Sequence, residues 1–479
     1  MTEKNGVSRR HTLQGVGLAG AAAFLGTQAG GSEVATNRES VSPGRANPAI
    51  AKKVFETPLI DTHEHLLEEK ERLAASHPRV QADDWSLLLN HYLNSDLLVA
   101  GMPKNAYDKF FSKDTDPVEK WRQIEPYWPA VQNTGYAQAV RITMRQLYDV
   151  DELSAATVKR VQAAYEQTRR AGFYRRILCE LGKIESCQVN YLARPFGESD
   201  MPTLLMQDLS IVGMFAGPDF KGFGKPTGIE VHSLADWHRV IDWWFDKYGK
   251  YAVAVKSQNA YSRDIDYEQV PAEKVEATFK KRLANEPLTA EERKALEDHL
   301  FWYAVKKATE HRLPVKLHTG YYAGQNGMPL GRLSHNASSA TDLCRKAPET
   351  RFVFMHICYP YYEELLVAAK HYTNAYVDMC WSWIINPVAA KDFLKKFLVT
   401  APANKILTFG GDYIPVEPVL GHAVIARRGI ALALSELVDE GWLSLSDAMD
   451  LTDPIMHGNA RQIFNLAEKT HILESVKWT

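Results

Sequence analysis

The triplet His63-Glu64-His65 follows the short apolar run Pro58-Leu59-Ile60-Asp61-Thr62 directly. Alternate residues of a strand share a face, so the two imidazoles point the same way. Two neutral imidazoles on one face can both reach one divalent ion. The chain has 16 histidines, so such a pair carries weight only if other strand ends add ligands. They do. His318 ends Val315-Lys316-Leu317, His356 ends Phe352-Val353-Phe354-Met355, and Asp412 follows Ile406-Leu407-Thr408-Phe409-Gly410-Gly411. Three imidazoles and a carboxylate suit Zn²⁺ or a similar divalent ion. Such an ion lowers the pKa of a bound water from ~15.7 toward about 7, so hydroxide forms at neutral pH. A neighbouring carboxylate then accepts and returns the proton.

Residues far apart in sequence meet only if a fold brings their strand ends together. Eight short, mostly continuous apolar runs qualify as strands: 58–62, 185–193, 204–215, 251–256, 314–317, 351–355, 375–379 and 405–409. Continuous apolar runs are expected of parallel strands buried on both faces. Helical stretches separate most of them. One spans 289–310 and opens with the capping box Thr289/Glu292. The alternation predicts an α/β fold, a (β/α)8 TIM-type barrel, in which the carboxyl ends of all strands share one face. Residues 48–479 read as this one domain. The first crossover, 66–183, is far longer than a connecting loop needs and is predicted helical at 84–98, 117–127, 136–148 and 154–170. It is expected to be a helical insertion forming a lid or pocket wall, and Trp85, Trp121 and Trp128 give it an apolar patch.

The first 47 residues differ in kind. Ser8-Arg9-Arg10-His11-Thr12-Leu13-Gln14 precedes a Gly/Ala-rich apolar run, and small residues near Ala29 offer a cleavage site. This looks like a twin-arginine export signal followed by a tether, which implies a folded protein sent to the periplasm or outside the cell. The net charge of −2 gives no reason to expect nucleic acid or an anionic membrane as a partner, and no stretch of about 18 apolar residues marks a membrane span. A small molecule is the expected partner, and a homo-oligomer stays open. The five cysteines, Cys179, Cys187, Cys344, Cys358 and Cys380, lack CxxC spacing and read as mostly buried small apolar residues.

The order HxH, His, His, Asp at strand ends resembles the amidohydrolase superfamily. Phe409-Gly410-Gly411-Asp412 and His457-Gly458-Asn459-Ala460-Arg461-Gln462-Ile463-Phe464 resemble its amidohydrolase-related branch, which includes aminocarboxymuconate-semialdehyde decarboxylase-like enzymes and amidohydrolase domains attached to glutamine synthetase-like proteins. The long helical crossover is also similar to that of uronate isomerases. The resemblance implies that His63, His65, His318 and Asp412 hold one metal ion, and that Asp412 moves the proton. It implies that His356 faces the substrate and supports the oxyanion, or binds a second metal. Lys256 ends the fourth strand, where binuclear members carry a carboxylated lysine bridging two ions. The alternative is an ammonium that binds an anionic substrate or a carboxylate. Arg194, Arg263, Tyr321, Trp381, Trp383 and Glu417 follow candidate strands on the same rim. Either arginine could clamp a substrate carboxylate, or could belong to a surface salt bridge. Asp61 and Asp378 could orient ligating imidazoles. His457 reads as packing of the last helix, and His91, His232, His299 and His371 as solvated. The leading expectation is a metal-dependent hydrolase of an amide, ester or lactone carbonyl. The alternatives are a non-oxidative decarboxylase, a uronate isomerase-like enzyme and a non-enzymatic metal- or ligand-binding protein.

Overall fold

A computed structural model describes residues 45–74, 80, 82–324 and 328–478. The twin-arginine stretch and most of its tether lie outside the described residues. The strands are β1 (Leu59–Glu64), β2 (Ile184–Val189), β3 (Leu205–Gln207, resumed as Leu209–Ser210), β4 (Val255–Ser257), β5 (Val315–Leu317), β6 (Phe352–Phe354), β7 (Ala375–Asp378) and β8 (Ile406–Leu407). Every ladder between neighbours is parallel. β3 bridges the two ladders. Asp208 N donates to Val189 O on one side, and Leu209 N donates to Ala254 O on the other. The ring then closes between the chain after β8 and β1, where Thr62 N donates to Phe409 O (3.0 Å), Asp412 N to His63 O (2.9 Å) and His65 N to Tyr413 O (3.0 Å). The fold is the expected (β/α)8 barrel.

The barrel interior is graded. At the amino-terminal end Ile60, Met206, Val353 and Leu407 pack with Phe464 from the closing segment. Above them Lys316 Nζ bonds Asp208 at 2.8 and 3.0 Å, both side chains fully buried. Thr62 Oγ1 donates to Asp378 at 2.7 Å. The carboxyl-terminal end carries the candidate ligands.

Two sequence expectations change. The third strand was expected over 204–215, but strand structure ends at Ser210 and Val212–Phe215 is helical. An apolar run without clear alternation reads equally as strand or buried helix. The fourth begins at Val255 rather than 251. The capping box stands as expected, with Glu292 N bonded to Thr289 Oγ1 and Thr289 N to Glu292 Oε2. The cysteines are free thiols, all buried except the half-buried Cys179.

The crossover between β1 and β2 is helical, its longest pieces being α1 (Gly135–Tyr148) and α2 (Val158–Thr168). Leu87, Trp121 and Val140 belong to the same apolar core as barrel residues such as Leu59 and Val315. α1 runs along α3 (Glu417–Asp439), the helix that follows β8. At their contact a Cβ on Gly421 would lie 1.9 Å from Ala139 O, so only glycine permits this approach. A buried ion network ties the same elements. Arg72 is 1% exposed and bonds Glu417 (2.8 and 3.1 Å) and Asp83 (3.0 and 3.1 Å). Tyr165 of α2 donates to Asp83. Removing one partner of such a network strands a buried charge, at a cost of about 3–5 kcal/mol. Urea unfolding of Arg72→Ala should show a loss of that order. Lys53→Ala, which removes a half-exposed pair with Asp453, should cost under ~1 kcal/mol.

Candidate metal centre

β1 delivers His63 and His65 with ring centroids 4.7 Å apart. Each Nε2 lies 3.2 Å from Asp412 Oδ1, so the three side chains form one group able to hold a cation. Asp412 reaches them because its backbone turns into the left-handed region at φ +64°, a conformation aspartate tolerates better than most residues. The Asp412–His63 backbone bond and the Tyr92 hydroxyl, which donates to Asp412 O, fix that turn. The preceding Gly411 is equally constrained, since a Cβ there would lie 1.9 Å from Glu64 Oε1. The Phe-Gly-Gly-Asp run is thus shaped by close packing over β1.

Hydrogen-bond partners assign the imidazole tautomers. His65 Nδ1 faces Asn190 O at 2.8 Å, so it carries the proton and Nε2 keeps its lone pair. His318 Nε2 faces Tyr321 O at 2.9 Å, which leaves Nδ1 bare. His356 Nδ1 faces Cys380 O at 3.1 Å and Cys380 Sγ at 3.2 Å, leaving Nε2 bare, buried and without a hydrogen-bond partner. Both ring nitrogens of His63 are buried without one. Burial and the nearby Lys256 charge hold His63 well below the usual histidine range; the same two causes push His318 down to about 3. Burial, then His318 and Lys256, depress His356. Neutral imidazoles with bare, buried nitrogens are the donor chemistry a divalent ion requires, so the residues fit a metal. His63, His65 and Asp412 would hold it. His318 stands just outside this trio, its ring centroid 4.4 Å from that of His356.

Burial pushes Asp412 up to about 7, against the attraction of Lys256. Lys256 is 1% exposed, and burial brings its amine down to about 8 despite Asp412. Beneath the trio Asp61 and Glu64 form a buried carboxyl pair. Burial raises both, Asp61 to about 7, and Asp61 accepts from His63 N and Gly411 N while Glu64 accepts from Tyr413 N. Asp61 thus braces a ligand through its backbone. Asp378 accepts from Thr62 Oγ1 and Cys380 N and bonds no imidazole.

The rim expectations divide. Trp381 is fully buried, edge-on to His356 at 5.2 Å and stacked with Tyr92 at 5.0 Å and Tyr321 at 6.0 Å. Arg263 is not free to clamp a substrate, because Asp298 (2.7 Å), Asp266 (3.0 Å) and Glu297 (3.2 Å) surround its guanidinium. Arg194 is exposed and lies over the Tyr191 ring. Glu417 is committed to Arg72, and Trp383 is buried with its indole N–H on Thr408 O. His91 is not a solvated residue; its ring stacks on Tyr92 and lies 5.8 Å from that of His65. His299 is half-buried and bonds His238 and Val270 O. Sequence reasoning missed Tyr92, Tyr136, Asn190 and Cys380. The first two come from the insertion, where no strand end announces them. Asn190 and Cys380 do follow strands, but amides and thiols drew no attention beside histidines.

The amidohydrolase family profile matches residues 285–466, which hold His318, His356 and Asp412. Over that stretch the chain is similar to the amidohydrolase family. Protein fluG of Emericella nidulans is 27% identical over 165 residues, 34% of this chain and 18% of that protein, so the match spans under a fifth of that relative. Three solved structures share the fold. Glucuronate isomerase from Caulobacter crescentus is 18% identical, with TM-score 0.71, covering 87% of this chain and 93% of that chain. Uronate isomerase from Thermotoga maritima is 14% identical, with TM-score 0.69, covering 87% and 96%. A protein assigned as a metal-dependent hydrolase from Lactobacillus casei is 15% identical, with TM-score 0.61, covering 88% and 98%. Elemental analysis of the purified protein should find a bound divalent ion. His65→Ala and Asp412→Ala should each lower metal affinity at least ~10-fold, the smallest loss expected when even a residue supporting a ligand is removed. Arg263→Ala should retain full metal content.

Proposed function

We propose that this protein is a zinc-dependent hydrolase of the amidohydrolase type that opens an amide, ester or lactone carbonyl in a small molecule. The carrying observation is the Asp412 carboxylate set 3.2 Å from the Nε2 of both His63 and His65. A divalent ion held there supplies Lewis acidity, lowering the pKa of water and polarising a carbonyl. Asp412 Oδ is placed to take a proton from the attacking water and return it to the leaving group. Its raised affinity for a proton suits that work near neutral pH. His356 was expected to support the oxyanion, but its single N–H points at Cys380 O, so it serves as an acceptor. Trp381, Tyr321 and, from the insertion, Tyr92 and Tyr136 form a stacked aromatic wall. These contacts support the insertion as a pocket wall.

The arginines give less support to the decarboxylase and isomerase-like readings. A departing carboxylate or a uronate is best held by a guanidinium clamp, with the buried Lys256 ammonium the other cation at the centre. Of the two arginines in reach by sequence, Arg263 is saturated by carboxylates and Arg194 is exposed. A two-ion variant has its own support, since Lys256 has an amine depressed to about 8 and neighbours His318 and His356 each keep a bare nitrogen. A carboxylated Lys256 would then bridge the ions.

Zinc-loaded protein should hydrolyse members of a panel of aryl esters, anilides and lactones, with Asp412→Asn reducing kcat by about 10²–10⁴. Carbon dioxide release from aromatic acids, or ketose formation from uronates, without hydrolysis would overturn the reading. We also propose export by the twin-arginine route. Arg9→Lys combined with Arg10→Lys should leave the protein in the cytoplasmic fraction, and unchanged fractionation would refute it.

A further inference from the structure

The carbonyl oxygen of a substrate gains negative charge as it is attacked and needs a hydrogen-bond donor. The imidazoles around the centre do not offer one freely. His65, His318 and His356 each spend their single N–H on a backbone carbonyl, of Asn190, Tyr321 and Cys380 respectively. His63 faces Asp412. The donor must come from elsewhere.

The interior column of β2 holds one. Cys187 and Val189 pack into the outer core between strands and helices. By alternation Gln188 faces the barrel interior, and Asn190, one residue past the strand, continues on the same side. Both are essentially inaccessible, at 0% and 1% exposed. Asn190 Nδ2 and Oδ1 and Gln188 Nε2 and Oε1 are all buried without a hydrogen-bond partner. A buried carboxamide with neither end satisfied is rare in folded proteins, and such groups mark places where something else completes the bonding. Asn190 is the upper of the two. Its backbone is tied to the centre at both ends, N–H to Glu64 O at 2.8 Å and C=O to the His65 ring at 2.8 Å. The residue is therefore held beside His65, on the carboxyl-terminal side of the barrel where the candidate ligands converge.

We propose that Asn190 is a catalytic residue whose Nδ2–H donates to the substrate oxygen that becomes the oxyanion. The role rests on the hydrolytic reading above. It differs from a structural role in a measurable way. The bond that positions His65 uses the Asn190 backbone carbonyl, which survives any substitution of the side chain. Changing the carboxamide should leave the metal and the fold alone and weaken only what binds at the oxyanion position.

The probe is phenylphosphonate, whose tetrahedral anionic oxygens mimic the attacked carbonyl. Its binding to zinc-loaded protein is measured by calorimetry, beside zinc content, melting temperature and p-nitrophenyl acetate kinetics. Asn190→Leu should bind the phosphonate about 10- to 100-fold more weakly, as for loss of a hydrogen bond to a charged group. Asn190→Asp, which puts an acceptor where the donor stood, should bind no better. Both should keep wild-type zinc content and melting temperature, and kcat should fall by about 10²–10³ with little change in KM. Unchanged phosphonate affinity in both variants would overturn the assignment while leaving the hydrolase reading intact. Loss of zinc or of melting temperature in parallel with affinity would make Asn190 a structural residue. If wild-type protein with full zinc neither binds the phosphonate nor cleaves the ester, the hydrolytic reading fails and Asn190 loses this role with it.

Discussion

The seam between the last strand and the first is the constraint on which the rest depends. Three backbone hydrogen bonds close the barrel there: Thr62 to Phe409, Asp412 to His63, and His65 to Tyr413. The same three bonds set the distance between Asp412 and the two histidines. Barrel closure and metal-centre geometry are therefore one event, and distorting either distorts the other. The local sequence obeys this. Gly411 leaves room for Glu64, and Asp412 adopts a left-handed turn that a β-branched residue would resist.

Below that seam the interior holds more charge than an ordinary core. Lys316 and Asp208 form a fully buried pair, and Asp61 and Glu64 share a site where two negative charges would repel. Such groups add little net stability. Their value is positional. Asp61 accepts from the backbone of His63 and of Gly411, so it grips both sides of the seam at once. Lys316 also donates to Thr62 O at 2.7 Å, one residue before the first ligand. Polar groups under the centre thus pin the backbone that presents it.

The insertion is built into this arrangement rather than resting on it. Its core is continuous with that of the barrel, and Arg72 binds Glu417 in the first turn of α3, the helix that follows the Asp412 loop. Tyr92 extends from the insertion to the Asp412 carbonyl. The insertion therefore also steadies a candidate ligand.

Much of this was legible in the chain. His63, His65, His318, His356 and Asp412 stand out because strand ends follow local hydrophobic runs, and a barrel gathers strand ends by its topology alone. The α/β class, the long helical crossover and the capping box at Thr289 are equally local signals. What the sequence could not determine is where long or polar side chains find partners. Arg263 and Arg194 look alike beside their strands, yet one is enclosed by three carboxylates and the other is exposed. Which nitrogen of each histidine is bare depends on carbonyls of Asn190, Tyr321 and Cys380, two of them just past neighbouring strands. Tyr92 and Tyr136 meet Trp381 across about 250 residues of chain or more. Periodicity encodes which face a residue takes, because that is a property of the backbone. Partners are chosen by packing between segments distant in sequence, and only the tertiary structure decides them.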